Sequence, residues 1–200
     1  MKQLVTLSLF LLFTATAYTQ NKQQLSLDLN RSFHGTGDMR GLGFAVEYGH
    51  YVGKRIELTA GVGTNVHHDV YPLFLNQSGR IVDASYRMVT GGLQLNGQVN
   101  VAPLRTRRHE VKLGIGPVVR YQSSSASGGY GVLSATGYPE PVFTFRQYEK
   151  QNVVTVGYLA ALSYSFTFPG QFLIGAKASF QNDTNADVIT QYGLRIGKRF

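Results

Sequence analysis

From Leu25 to the last residue, apolar and polar side chains alternate with a period of two. That spacing belongs to strands whose successive side chains point to opposite faces of a sheet. The first segment sets Leu25, Leu27 and Leu29 against Ser26, Asp28 and Asn30, and the second sets Leu42, Phe44, Val46 and Tyr48 against Gly43, Ala45, Glu47 and Gly49. In the third, Ile56, Leu58, Ala60 and Val62 alternate with Glu57, Thr59, Gly61 and Gly63; in the fourth, Leu93, Leu95, Val99 and Val101 alternate with Gln94, Asn96, Gln98 and Asn100. A fifth runs Val111, Leu113, Ile115 and Val119 against Lys112, Gly114, Gly116 and Arg120, with Pro117 as a local irregularity. The sixth extends from Val154 to Phe166, broken at Leu159; the seventh from Phe172 to Phe180 around Gly175, Lys177 and Ser179; the eighth from Val188 to Phe200 around Gln191, Gly193, Arg195, Gly197 and Arg199.

The connections alternate too. They are tight at Gly53-Lys54 and Pro169-Gly170 and moderate from Ala102 to His109, but longer over 34–41, 66–84, 122–151 and 181–187. Short and long connections therefore lie at opposite ends, the asymmetry of outer-membrane barrels with short periplasmic turns and longer extracellular loops. The Ser/Gly-rich stretch Ser123 to Gly129 reads as a mobile part of one long loop. The expected fold is all-β, an eight-stranded antiparallel up-and-down transmembrane β-barrel over residues 20–200.

Ahead of it, Lys2, the apolar run Leu4 to Phe13 and Ala15-Thr16-Ala17 have the three-part layout of a secretory signal peptide, read here as residues 1–19 with cleavage after Ala17 or Thr19. Export directs the chain to the cell envelope. The absence of cysteine excludes disulfides, thiolate metal sites and a lipid-modified cysteine. The net charge of +8 invites a nucleic-acid partner, but export and the collection of basic residues at turns argue against one.

A soluble eight-stranded barrel also alternates, with its apolar face inward. Here the polar face is rich in Gly, Ser, Thr, Asn and Gln, which suit a crowded lumen, and the chain has no tryptophan for a lipocalin-type Gly-x-Trp signature. Tyr48, Tyr86, Tyr121, Phe166, Phe168, Tyr192 and Phe200 fall near strand ends, where lipid-facing barrels carry aromatic girdles. In hydrocarbon each unpaired backbone group costs several kcal/mol, and only a closed sheet has no edge.

With this strand pattern, a signal peptide with Gln20 near its cleavage point, and the terminal strand Tyr192 to Phe200, the chain resembles the small outer-membrane barrels related to outer membrane proteins A and X, particularly Bacteroidota-type versions. The resemblance implies that the aromatic-ended last strand, through Tyr192, Leu194, Ile196 and Phe200, is the signal read by the barrel-assembly machinery. With residues 20–200 taken up by the barrel, a peptidoglycan-binding domain like that of outer membrane protein A, and the cell-wall tethering it gives, is not expected.

Asp28, Glu47 and Glu57 on early strands and Lys112, Arg120, Lys177 and Arg195 on later ones all fall on the polar face. In a narrow lumen these groups should pair, since an unpartnered buried charge is costly. Lys54, Arg55, Arg105, Arg107 and Arg108 sit at short turns, either solvated or against anionic headgroups. His67-His68-Asp69 offers metal-ligand types, but adjacent histidines point different ways, so no metal or cofactor is expected. A lipid A deacylase or acyltransferase would need a serine or carboxylate beside a histidine; none of His34, His50, His67 and His68 has an evident serine partner at strand spacing. The sequence therefore reads as a non-enzymatic outer-membrane barrel with a structural or surface-interaction role. Its expected partners are outer-membrane lipids, the assembly machinery and an unidentified ligand of the long loops, with a narrow pore as main alternative and a lipid A-modifying enzyme as a further one.

Overall fold

The computed structural model describes residues 22–35, 39–77, 80–83, 85–127, 130–133, 142–145, 148–185 and 188–200. The signal peptide read at 1–19 lies outside them, as do Gly128 and Gly129. The described elements are strands: β1 (Gln23–His34), β2 (Met39–Tyr51), β3 (Ile56–Tyr71), β4 (Phe74–Gln77), β5 (Arg80–Asp83), β6 (Tyr86–Arg105), β7 (His109–Ser127), β8 (Tyr130–Leu133), β9 (Val142–Phe145), β10 (Tyr148–Thr167), β11 (Phe172–Asp183) and β12 (Val188–Arg199). Eight of them close a barrel in the order β1-β12-β11-β10-β7-β6-β3-β2, with every neighbouring pair antiparallel. The pairs β4–β5 and β8–β9 form two small hairpins inside the longest connections. Closure is made by β1 and β12, paired from Gln24↔Arg199 to His34↔Ile189. At its end the backbones of Gln23 and Phe200 exchange hydrogen bonds of 3.1 and 3.0 Å.

The two faces are sorted in the sense of a membrane barrel. Leu93, Ile115, Val156 and Ile196 are 55, 62, 52 and 52 % exposed on the outside, while Glu47 and Lys177 retain 4 and 7 %. The outer apolar side chains, from Leu25 on β1 around to Ile196 on β12, form a continuous band far beyond the patch a soluble monomer exposes. The interior is mostly polar, with Ala45, Val118, Leu159, Leu173 and Ile189 as buried apolar fillers among its amides and charges. Leu159, the break in the sixth alternating segment, is thus an inward residue.

The short-turn end carries the β2–β3, β6–β7 and β10–β11 connections. At the last of these, Phe168 N–H donates to Phe172 O at 2.7 Å, and Gly170 and Gln171 adopt φ of 86° and 66°. Glycine takes that left-handed conformation without penalty; Gln171 does not. In the β6–β7 turn Thr106 Oγ1 accepts from His109 N–H at 2.9 Å. The pairing of β6 with β7 slips by one residue between Val101 and Leu104; Ala102 still follows the inward parity of Gln98 and Asn100, and beyond it the order reverses, with Leu104 outward.

Two expectations need correcting. The long loops are shorter than the alternation suggests, because β3 continues to Tyr71, β7 to Ser127 and β10 starts at Tyr148. The serines Ser123 to Ser127 belong to β7 and pair with β10 from Asn152 to Tyr148, rather than lying in a mobile loop. Past the apolar band both faces are polar, so pairing persists where the apolar/polar contrast has vanished. At a strand tilt of about 40° each residue adds about 2.5 Å of height, and an apolar band is about 25 Å tall. The 20, 19 and 20 residues of β6, β7 and β10 therefore raise a wall above the band, whereas β1, β11 and β12 have 12 each.

Candidate functional site

The lumen holds the chemistry. Charged side chains reach it because inward positions recur at every second residue, and small cross-strand neighbours make room for them. Arg195 on β12 faces Asp28 on one side and Gly175 on the other. It binds Asp28 through two guanidinium hydrogen bonds of 2.7 Å each. Lys177 Nζ lies 3.2 Å from Asp28, and both cations also contact Glu47. Gln98 donates to Glu47 at 3.2 Å, and Asn100 to Thr59 at 2.6 Å. Two carboxylates and two cations, all nearly inaccessible, form a neutral quartet across the middle of the barrel.

A second network seals the short-turn end. Lys112 Nζ sits 2.8 Å from Glu57 and 3.6 Å from Glu110. Arg199 lies 2.7 Å and Arg105 3.4 Å from Glu110, while the Tyr51 hydroxyl donates to Glu110 at 2.5 Å. The Arg105 guanidinium covers the Tyr51 ring at 3.3 Å from its centroid.

The expected set is therefore divided. Asp28, Glu47, Lys177 and Arg195 come together, Glu57 and Lys112 belong to the second network, and Arg120 joins neither. Arg120 sits higher, donating to Asn65 at 3.1 Å. Sequence reasoning left out Tyr51, Glu110 and Arg199, although Glu110 shares parity with Lys112 and Arg199 with Arg195. Arg105 was read at a solvated or lipid-contacting turn. It turns inward, its side chain 5 % exposed, because the register slip beside Ala102 and Leu104 reorients the end of β6. Lys54, Arg107 and Arg108 are exposed at the turns, and Arg55 is half-buried.

Toward the long-loop end, Ser32 and His67 flank Gly41 on either side, Ser32↔Gly41 and Gly41↔His67. Glycine there lets Ser32 Oγ reach His67 Nε2 at 2.7 Å across the intervening strand. This overturns the expectation that no histidine has a serine partner. The pair is fully buried, Gln191 donates to Ser32 at 3.2 Å, and the His34 ring lies 5.3 Å from that of His67. His68 points outward, away from His67. Among the described residues no three His, Asp or Glu side chains converge on a metal position.

On the outside, Phe166 packs edge-on against Phe168 at 5.0 Å, and His109 meets the Tyr164 hydroxyl at 2.9 Å, so aromatics ring the short-turn end of β7 and β10. Tyr192 stacks on Phe33 at 5.8 Å nearer the long loops. Tyr192, Leu194, Ile196 and Phe200 all face outward, 55, 62, 52 and 53 % exposed.

No protein-family model matches the sequence, and no curated protein matches it. Solved structures do match in fold. Ail, the attachment invasion locus protein of Yersinia pestis, is 10 % identical, with a TM-score of 0.52 over 91 % of this chain and 100 % of that one. The same protein crystallised with the heparin analogue sucrose octasulfate gives 0.55 at the same identity. The N-terminal β-barrel domain of OprF from Pseudomonas aeruginosa, also 10 % identical, gives 0.51 over 90 % of this chain and 100 % of that domain. The chain shares the architecture of small outer-membrane barrels.

Proposed function

We propose that the chain is a non-enzymatic protein of the bacterial outer membrane, spanning it with its long connections outside and acting as a structural or surface-interaction protein through them. The observation that carries this reading is the sorting of the two faces: an apolar band outside and an ion-paired lumen inside. The tall wall of β6, β7 and β10 and the two hairpins supply the material of an interaction surface. The partners that follow are the surrounding lipids and the assembly machinery, reading Tyr192, Leu194, Ile196 and Phe200, together with a ligand of the loops.

Two ion networks stacked across the lumen argue against a pore, since an eight-stranded barrel has room for little besides its own side chains. The enzymatic reading gains a serine–histidine pair, but one enclosed in the lumen, out of reach of a lipid acyl ester.

The chain's lack of cysteine makes topology directly measurable. In intact cells, Ile81→Cys in the β4–β5 hairpin should react with a membrane-impermeant maleimide, and Lys54→Cys only after the envelope is opened. The reverse pattern would refute the proposed orientation, and labelling of neither in opened cells would refute exposure of these segments. In planar bilayers both the unaltered chain and Glu57→Ala should stay silent; stepwise conductance by the unaltered chain would favour the pore.

A further inference from the structure

Toward the long-loop end the outward face changes chemistry, and differently on the two halves of the perimeter. Toward the long-loop end, the outward apolar run is succeeded by Arg31 on β1, Arg40 on β2, His68 on β3 and Arg87 on β6. These four strands are neighbours in the barrel. On the other four, β7, β10, β11 and β12, the equivalent residues are Ser123, Asn152, Asn182 and Thr190. Half the rim is basic and half is neutral.

The four basic residues form one continuous row. Arg40 and His68 are direct cross-strand partners. Arg31 faces Leu42 and Arg87 faces Val70, so each lies diagonal to the next member, within reach of a long side chain. The guanidinium groups of Arg31 and Arg40, on one diagonal, repel each other unless an anion offsets them. Among the described residues none of the row makes an ion pair; the one recorded partner is Phe33, whose ring lies 5.8 Å from the Arg31 guanidinium. Arg31, Arg40 and His68 border an outward groove of about 430 Å³ whose lower part is lined by Leu42 and Val66.

A cationic lip over an apolar floor, on a lipid-facing wall, matches an amphiphile with an anionic head. A soluble anion would have no use for the floor, and a zwitterionic phospholipid no use for a row this long. We propose that this arc binds the phosphate groups of an acylated, phosphorylated glycolipid in the outer leaflet, with acyl chains against Leu42 and Val66. Arg31 and Arg40 provide forked donors for phosphate oxygens, and Arg87 and His68 extend the row to a second phosphate. The proposal rests on the membrane orientation given above.

The test uses the full chain refolded into phosphatidylcholine nanodiscs doped with lipid A. Insertion is checked by protease resistance and by the gel-mobility difference between unheated and heated samples. Glycolipid co-purifying with the barrel is then counted by mass spectrometry. Arg31→Gln with Arg40→Gln should retain at least about tenfold less than the unaltered chain, with each basic residue near an anionic surface contributing about 1 kcal/mol. Dephosphorylated lipid A should be retained at the same low level by both proteins, and Lys198→Gln, at the other end of the barrel, should behave as unaltered. Excess inorganic phosphate should not displace the lipid. Equal retention by the doubly substituted barrel, indifference to dephosphorylation, or displacement by inorganic phosphate would each overturn the proposal while leaving an inserted barrel intact. A chain that does not insert overturns the membrane reading, and this one with it.

Discussion

Asp28→Asn tests the central quartet with least change of shape. Asp28 is 0 % exposed and accepts two 2.7 Å hydrogen bonds from Arg195, with Lys177 Nζ at 3.2 Å. Two carboxylates and two cations sum to zero; with asparagine, Glu47 alone faces both cations and the site carries one uncompensated positive charge. Removing one partner of a buried ion pair typically costs about 3–5 kcal/mol. At a urea slope of about 2 kcal/mol per M, the lower end moves the unfolding midpoint down by about 1.5 M. Adding Lys177→Gln restores neutrality, since Glu47 and Arg195 still pair, so the double substitution should recover part of the loss instead of deepening it. The assay is reversible urea unfolding of the refolded barrel in lipid vesicles, followed by circular dichroism and gel mobility. A shift below about 0.3 M for Asp28→Asn, or a double substitution worse than the single one, would show that lumen hydration and not ion pairing satisfies these groups.

Other perturbations probe different parts of the wall. Leu95→Arg, at an outward position 60 % exposed within the apolar band, should destabilise the vesicle-inserted barrel by about 2–4 kcal/mol in the same urea assay; an unchanged midpoint would count against lipid contact there. Gly116→Ala should cost about 1–3 kcal/mol and slow folding, because a methyl group there runs into the Gly97 carbonyl oxygen of the neighbouring strand. A folding rate and midpoint equal to the unaltered chain would refute that close approach. The Asp83 carboxyl is held below its ordinary value of 3.8, chiefly by the Ser85 side-chain hydrogen bond and then by the Ser85 backbone. A depressed folded value means that this contribution to the β4–β5 hairpin is present above the ordinary value and lost as pH falls through the folded one. Ser85→Ala should therefore raise the Asp83 titration midpoint, read by NMR, and remove the acid sensitivity of hairpin hydrogen exchange; an unmoved midpoint would refute it.

Strand identity and face were legible because the bilayer writes itself into the sequence: Leu93 and Leu95 must meet hydrocarbon while Gln94 and Asn96 must not. Once a strand rises past the band, water meets both faces and that contrast ends, which is why Ser123 to Ser127 looked like a loop. Membership of the lumen was readable from parity, but pairing was not. Lys177 and Asp28 lie 149 positions apart in sequence, and only the register of the closed sheet brings them together. Glu110 was within reach of that parity, two positions before Lys112, whereas Arg105 escaped notice for a local reason. The one-residue slip in the β6–β7 ladder reverses side-chain direction at the end of β6, and nothing in the alternation announces it. Ser32 and His67 were separated by the same blindness to register, although Gly41, opposite both, was the clue that space existed between them.

The bonds between Gln23 and Phe200 carry a consequence for how the wall comes into being. In a closed ring each stave is gripped from both sides, so omitting the last one does not subtract an eighth of the cohesion but leaves two raw margins facing oil. Completion is then all or nothing, and the finished ring itself marks no stave as first. A chain whose ends were joined at this seam and reopened between β10 and β11 should close into the same cylinder when refolded without the assembly machinery.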